Sequence, residues 1–451
     1  MPFHDEAEAI TYIFRSLRKL RGVERGLDEY TRSTKPTEQL LETYNLLLTP
    51  RQYAVVTGSK GKGSVTVITS KLLQYLGHTV GTMTSPHLVT WRERIRVNGR
   101  AIPQADLLRI LDELAPGIDA IEATLSEHQY FSPQGIFLAI ALRWFDEQGV
   151  NAAVLEVGRG GRYDDIAVVP NKLALFTPIM LEHTHYLGDT LARIAWHKAG
   201  IIEPYSYAYS LPQEPEVMEV LQHEAEAKEA EFNWVAPADM AQYVGETENG
   251  LIIDYGRYGE ITLSLLGHYQ IANATLATIA AGNMHGRLDG IPHTAPEYVD
   301  AIRAGLAHIT WPGRVTRLQE SPPVYVDGAI NAESARMLVR SLENRWQQPV
   351  ISIIAVPDDK DYAGVYRELG AVSAALILTK TTRNPILHFP PAETAVSVAK
   401  QVNANVSHAP NLSAALEQAR ARVGDGTIII AGTQSIVADA MLLWGADYEV
   451  I

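Results

Sequence analysis

The chain has 451 residues, with 52 acidic against 38 basic side chains, a net charge of -14 and no cysteine. A hydrophobic share of 46% with 20% charged residues is a globular balance, and the length predicts two domains, with three as the alternative. The acidic balance argues against a duplex nucleic-acid partner but allows an anionic substrate in a locally basic pocket, and the missing cysteine removes disulfides, thiolate metal sites and cysteine nucleophiles.

Met1-Pro2-Phe3-His4-Asp5-Glu6 has no basic or apolar stretch of a signal peptide, and no apolar run reaches bilayer-spanning length. The expectation is a cytoplasmic protein with no membrane partner. Residues 6–47 read as helices and loops of mixed charge. Tyr53 to Thr57 is a short buried strand that enters a glycine-rich turn, followed by a helix to about Leu76. Thr79–Met83, Asn151–Val157 and Lys172–Ile179 are of strand length, and Ser132–Gln148 has helical spacing. Residues 213–231 predict an exposed helix, 233–265 short antiparallel strands, and Tyr269–Met284 another helix. Pro and Gly near Ile309-Thr310-Trp311-Pro312-Gly313 predict a linker. Beyond it, Pro323–Val326, Val350–Ala355, Ala374–Thr379 and Thr427–Ala431 read as strands, each followed by a helical pattern. The alternation predicts an α/β fold with a mostly parallel sheet, then a smaller doubly wound domain.

Gly58-Ser59-Lys60-Gly61-Lys62-Gly63-Ser64 lies between a strand and a helix. Glycines let backbone N–H groups turn toward an anion, and the helix N-terminus adds its positive end. Lys62 is placed to neutralise β- and γ-phosphates and Ser64 to ligate Mg²⁺. A glycine-rich turn with a solvated lysine is the competing account, and the strand-before, helix-after context favours phosphate. Glu156 ends a buried strand in Leu155-Glu156-Val157-Gly158-Arg159-Gly160-Gly161-Arg162. A carboxylate at that position suits Mg²⁺, and an ion pair with Arg159 or Arg162 is its alternative.

The run from Val56 to Ser64 resembles the phosphate loop of the folylpolyglutamate synthase branch of the Mur ligase family. Thr84-Ser85-Pro86-His87-Leu88 and Glu93-Arg94-Ile95-Arg96-Val97-Asn98-Gly99 are similar to that family's T-S-P-H-L and E-R-I-x-x-N-G. The likeness continues with gaps to the C-terminus, and the first fifty residues match poorly. The resemblance implies a P-loop ATPase domain over residues 1–310 and a Rossmann-like C-terminal domain over 311–451. It implies an ATP-dependent ligase that activates a carboxylate as an acyl phosphate and joins it to an amine, with two Mg²⁺ sites. Its partners would be a small-molecule carboxylate acceptor and an amino acid.

By the same resemblance Ser85 and Glu156 ligate Mg²⁺, and Arg162 with the glycines before it borders the acceptor pocket. Glu182-His183-Thr184 is similar to D-H-T, implying that His183 reaches a second Mg²⁺. Lys198-Ala199-Gly200-Ile201 is similar to K-A-G-I, whose lysine is carbamylated into a metal-binding group. Chemistry alone would leave Ser85 a turn serine, His183 a loop histidine and Lys198 a helix-surface lysine. Asn273, in Leu266-Gly267-His268-Tyr269-Gln270-Ile271-Ala272-Asn273, would meet the adenine. Arg314, in Trp311-Pro312-Gly313-Arg314, would meet the γ-phosphate, and Asp327, in Asp327-Gly328-Ala329, the ribose. The catalytic set implied is Lys62, His183, Lys198 and Arg314.

The departures cluster on the substrate side. Ile330 stands where the family has histidine, Tyr163-Asp164-Asp165-Ile166-Ala167 where it has L-D-A-T-N, Gln129-Tyr130-Phe131-Ser132 where it has T-x-F-E, and His388 where it has an arginine. Two further readings follow: the same chemistry on a non-folate acceptor, or an ATP-binding protein or partner subunit that has lost ligation.

Overall fold

The computed structural model describes residues 2–290 and 295–451. The first sheet contains β1 Gln52–Thr57, β2 Val80–Met83, β3 Ile95–Val97, β4 Arg100–Ala101, β5 Ala152–Glu156, β6 Leu173–Phe176, β7 Tyr207–Ser210 and β8 Glu231–Trp234. Its order is β4-β3-β2-β5-β1-β6-β7-β8, parallel except at the β2-β3-β4 edge. The central strands are apolar on both faces because both faces are covered. Alternate residues of β1 show this: Tyr53 and Val55 enter one core, Ala54 and Val56 the other. The helices Gln104–Glu122 and Pro133–Glu147 cover the first face; Lys62–Tyr75 and Tyr269–Asp289 cover the second.

A small antiparallel sheet follows, from β9 Gln242–Thr247, β10 Gly250–Asp254 and β11 Glu260–Leu263. The expectation of antiparallel strands over 233–265 holds for these three. It fails for Asn233 and Trp234, which belong to β8 and run parallel to β7. The strand β7 escaped the sequence reading because Tyr-Ala-Tyr-Ser has no continuous apolar run.

The third sheet contains β12 Thr316–Glu320, β13 Pro323–Asp327, β14 Val350–Ala355, β15 Ala375–Leu378, β16 Val406–His408 and β17 Thr427–Gly432. Its order is β12-β13-β17-β14-β15-β16, parallel except for the edge strand β12, so the sheet is doubly wound as the alternation predicted. The C-terminal residues return to the first sheet. Ala101 N–H donates to Glu449 O at 3.0 Å, Ile451 N–H to Gly99 O at 3.0 Å, and Lys71 Nζ to Ile451 O at 2.9 Å. Buried Arg96 ties the same segment through Tyr448 O at 3.1 Å. Among the described residues no helix is long and apolar enough to cross a membrane.

Candidate active site

Parallel strands deliver their C-terminal ends to one edge, and the loops there assemble the site. Val56 of β1 pairs with Glu156 of β5, so that carboxylate emerges two residues before the loop glycine Gly58. Thr57 Oγ1 donates to Gly160 O at 2.6 Å and locks the loop after β5 to the end of β1. The phosphate loop needs glycine at two points. Gly58 has φ 140°, and a Cβ there would stand 1.9 Å from Thr177 Oγ1. Gly61 has φ 89° and caps the helix Lys62–Tyr75, and a Cβ there would stand 2.7 Å from Asn273 Oδ1. Asn273 therefore presses directly on the loop, held by its own donation to Gln270 Oε1 at 2.9 Å. Ser59 is pinned through Pro178 and Met180, its Oγ accepting the Met180 N–H at 3.0 Å. Lys60 is exposed, Gly63 lies under Trp311, and Ser64 is buried in the first turn of the helix.

Glu156 is 4% exposed, and its Oε2 accepts the Ser85 N–H at 2.9 Å. The two arginines that offered it an ion pair are engaged elsewhere. Arg159 donates twice to Asp28, at 2.6 and 3.0 Å, and Arg162 pairs with Glu224 at 2.7 Å while lying over the Trp196 ring. Burial pushes the Glu156 carboxyl up to about 7, opposed by Lys62, the Ser85 amide, Arg314 and Arg94. A buried carboxylate to which no basic side chain is bonded among the described residues, beside the Ser85 amide and the Gly63 turn of the phosphate loop, is a hard oxygen donor suited to Mg²⁺.

Lys62 Nζ folds back on Gly58 O at 3.1 Å. Lys198, 1% exposed near the end of the helix Leu191–Ala199, reaches the same carbonyl at 2.8 Å and Glu182 Oε1 at 3.4 Å. Its surroundings correct the picture of an ordinary surface lysine: burial first, then the Lys62 charge, brings its amine down to about 8, opposed by Glu182. Burial works against Glu182 ionising, yet Lys198 and Ser59 hold its carboxyl below the usual range. His183 opens the helix Thr184–Leu187 with a left-handed φ of 52° and lies at the surface, where partial desolvation of its ring holds it below its usual pKa despite Glu182.

Arg314 and Asp327 come from beyond the linker. Arg314 leans over Gly328, where a Cβ would meet its guanidinium at 2.6 Å. Asp327 ends β13, is 7% exposed, and its Oδ2 accepts the Val315 N–H at 3.0 Å. Burial pushes its carboxyl up to about 6 against Arg314 and two backbone amides.

Two groups escaped the sequence reading. Arg94 is half-buried at the same centre, donating to His87 Nδ1 at 3.2 Å and lying within electrostatic reach of Glu156. Both residues stood in the quoted motifs, so the signal was present without a role attached. The second group joins Asp28 and Arg32 to Arg159, Asp164 and Asp165, with Thr37 Oγ1 donating to Asp165 at 2.6 Å. Its two halves, residues 28–37 and 159–165, lie more than a hundred residues apart, beyond the reach of any local pattern.

A Mur ligase middle-domain model matches residues 56–281, and a Mur ligase glutamate ligase domain model matches residues 313–433. Over 330 residues the chain is 34% identical to the dihydrofolate synthase/folylpolyglutamate synthase of Bacillus subtilis, covering 71% of this chain and 74% of that one. The chain belongs to the folylpolyglutamate synthase/dihydrofolate synthase branch of the Mur ligase family. This Mur ligase resembles in fold the Mycobacterium tuberculosis folylpolyglutamate synthase crystallised with ADP and AMPPCP, at 28% identity and a TM-score of 0.79, over 96% of this chain and 99% of that one. The folylpolyglutamate synthase of Thermotoga maritima follows at 26% identity and a TM-score of 0.78, over 97% of both chains. The protein is a carboxylate–amine ligase that uses ATP.

Proposed function

We propose that this Mur ligase adds glutamate to a folate-type carboxylate through an acyl phosphate, with two Mg²⁺ ions. The observation that carries the reading is Glu156: a buried carboxylate beside the phosphate loop, with both candidate arginine partners engaged elsewhere. The names of the relatives supply the acceptor and the amino acid. Residues 1–310 would hold ATP and residues 311–451 would close over it. A requirement for ATP suits a cytoplasmic location.

In this reading Gly58, Ser59, Lys60, Gly61, Lys62, Gly63 and Ser64 wrap the phosphates, Lys62 and Arg314 offset their charge, and Asn273 and Asp327 fix the nucleoside. Ser64, Ser85 and Glu156 would hold the first Mg²⁺; His183 and a carbamylated Lys198 would hold the second. When bound, the ions shield the anionic acceptor from the γ-phosphate and allow the two to approach. An acceptor carboxylate oxygen attacks the γ-phosphorus and ADP leaves. The amino-acid nitrogen then attacks the acyl carbon, the C–O bond to phosphate breaks, and phosphate departs. Trp311, lying over Gly63, keeps water from the loop.

A second reading, ligation to a non-folate acceptor, is favoured by one observation. Tyr163, at a departure from the family motif next to the Arg162 that the resemblance assigns to the acceptor pocket, packs its ring 6.2 Å from Trp196 and 5.7 Å from His197. A matrix of carboxylate acceptors against amino acids, read as ADP release and as amide by mass spectrometry, tests both. Dihydrofolate or tetrahydrofolate with glutamate is expected to give the largest ADP release. Amide from a different acceptor would establish the second reading. Nucleotide binding with no amide from any pair would sink ligation and leave an ATP-binding subunit.

A further inference from the structure

The helix Tyr269–Asp289 carries Asn273 against the phosphate loop near its start. Twelve residues later, about 18 Å along its axis, it carries His285. His285 and Asp289 are spaced i, i+4, so they share one face of the last turn. His78 meets them from the turn between the helix Lys62–Tyr75 and β2. It lies at the N-terminal end of β2, whereas the phosphate loop leaves the C-terminal end of β1. Both strands run parallel to β5, so the cluster and the catalytic centre sit at opposite edges of the sheet.

Three donor atoms converge there. His78 Nε2 and His285 Nδ1 are 2.9 Å apart, and Asp289 Oδ2 stands 3.7 Å from the first and 3.4 Å from the second. In a tetrahedral zinc site, bonds of about 2.0–2.1 Å put neighbouring ligand atoms about 3.3–3.4 Å apart. The observed triangle brackets that value: the His–His edge needs to open and the His78–Asp289 edge to close, each by a few tenths of an ångström. His78 and His285 are 6% and 3% exposed, while the Asp289 side chain is 42% exposed, so the cluster is reached from the Asp289 side. The Tyr298 ring stacks on His285 at 5.7 Å and fixes its plane. The helix ends at Asp289, and its negative C-terminal end favours a cation.

We propose that His78, His285 and Asp289 bind a transition-metal dication of the Zn²⁺ class, at a site separate from the catalytic centre. Two imidazole nitrogens and one carboxylate oxygen suit zinc and its neighbours better than Mg²⁺, which prefers oxygen alone. The ion would fasten the end of the helix Tyr269–Asp289 to the entrance of β2. Because that helix also carries Asn273, the site braces the element that touches the phosphate loop.

The test uses the full chain, stripped of metal and then held with ADP and excess Mg²⁺ so that the catalytic positions are filled. Titration with Zn²⁺, and with Co²⁺ for its tetrahedral visible absorption, is expected to show one additional equivalent bound and a rise in Tm. Asp289→Ala, at a half-exposed position, should fold normally and bind Zn²⁺ at least tenfold more weakly, with the Tm rise reduced. His78→Gln should abolish both. Uptake of no extra Zn²⁺ by the wild type would overturn the proposal and leave a hydrogen-bonded histidine pair. Equal Zn²⁺ affinity in wild type and Asp289→Ala would overturn it as well.

Discussion

A buried charge is costly unless something meets it, and in the proposed reading the charges around the phosphate loop are met by substrate. Lys62 donates to a backbone carbonyl and, among the described residues, forms no ion pair, so its charge is available to phosphate. Lys62→Ala should weaken ATP binding by about 1.5–3 kcal/mol, the range of a hydrogen bond to a charged group. Calorimetric titration checks it, and unchanged affinity in a folded variant removes Lys62 from the site. Lys198 presents a harder case, because a bare ammonium repels a metal. Burial leaves part of its amine neutral near pH 8, the form that reacts with CO₂, and a carbamate offers two oxygens to a hard cation. Lys198→Ala should fold, lose nearly all turnover, and regain part of it with an added short-chain carboxylic acid. Labelling with ¹³C-bicarbonate should give a carbamate resonance in the wild type alone; an active Lys198→Ala chain would refute the role.

At the scale of elements, strand ends set the chemistry by what they bury. Asp327 ends β13 in a nearly closed position, and its folded pKa of about 6 lies above the ordinary 3.8. The sign follows from proton counting. Between those values the folded state binds more protons than the unfolded one, so stability falls as pH rises through the window. Asp327→Asn keeps the oxygen that accepts from Val315 and removes the titration. The urea-unfolding free energy of the wild type relative to Asp327→Asn should drop by on the order of 2–3 kcal/mol from pH 4 to 7. A flat difference would mean that Asp327 is not strained by its burial. Asn331, beside the substituted Ile330, serves the next helix: its side chain accepts the Ser334 N–H at 2.9 Å and caps Ala332–Leu342. That position has a local structural duty, whatever the acceptor is.

Over the whole molecule, the proposed closure over ATP rests on side chains at the linker. Arg314 belongs to the chain after the linker, yet it contributes to the electrostatics of Glu156 in the first sheet. Arg314→Lys keeps the charge but loses the planar two-pronged donor, so turnover should fall tenfold or more while ADP affinity changes little. Single-turnover ADP release compared with equilibrium nucleotide binding separates the two effects. A wild-type rate in Arg314→Ala would end the closure model. The C-terminal segment adds a second tie across the molecule through Arg96 and Tyr448.

The sequence alone determined the alternation of strand and helix, the phosphate loop and the family, because these rest on local signals. An apolar run such as Tyr53–Val56 buries on both faces wherever it lies, and Gly58 and Gly61 mark a turn that only glycine completes. Strands without such a run stayed hidden: β7 is held by its neighbours, β16 is three residues long, and β12 is a partly exposed edge. The tertiary structure decided which partner each charge takes. Glu156, Arg159 and Arg162 lie within seven residues of one another, and nothing local excludes a pair among them. Asp28 and Glu224, brought in from distant segments, take the two arginines and leave the carboxylate to the phosphate loop. Pairing energy depends on distance through space, and that distance is set by the packing of the whole chain.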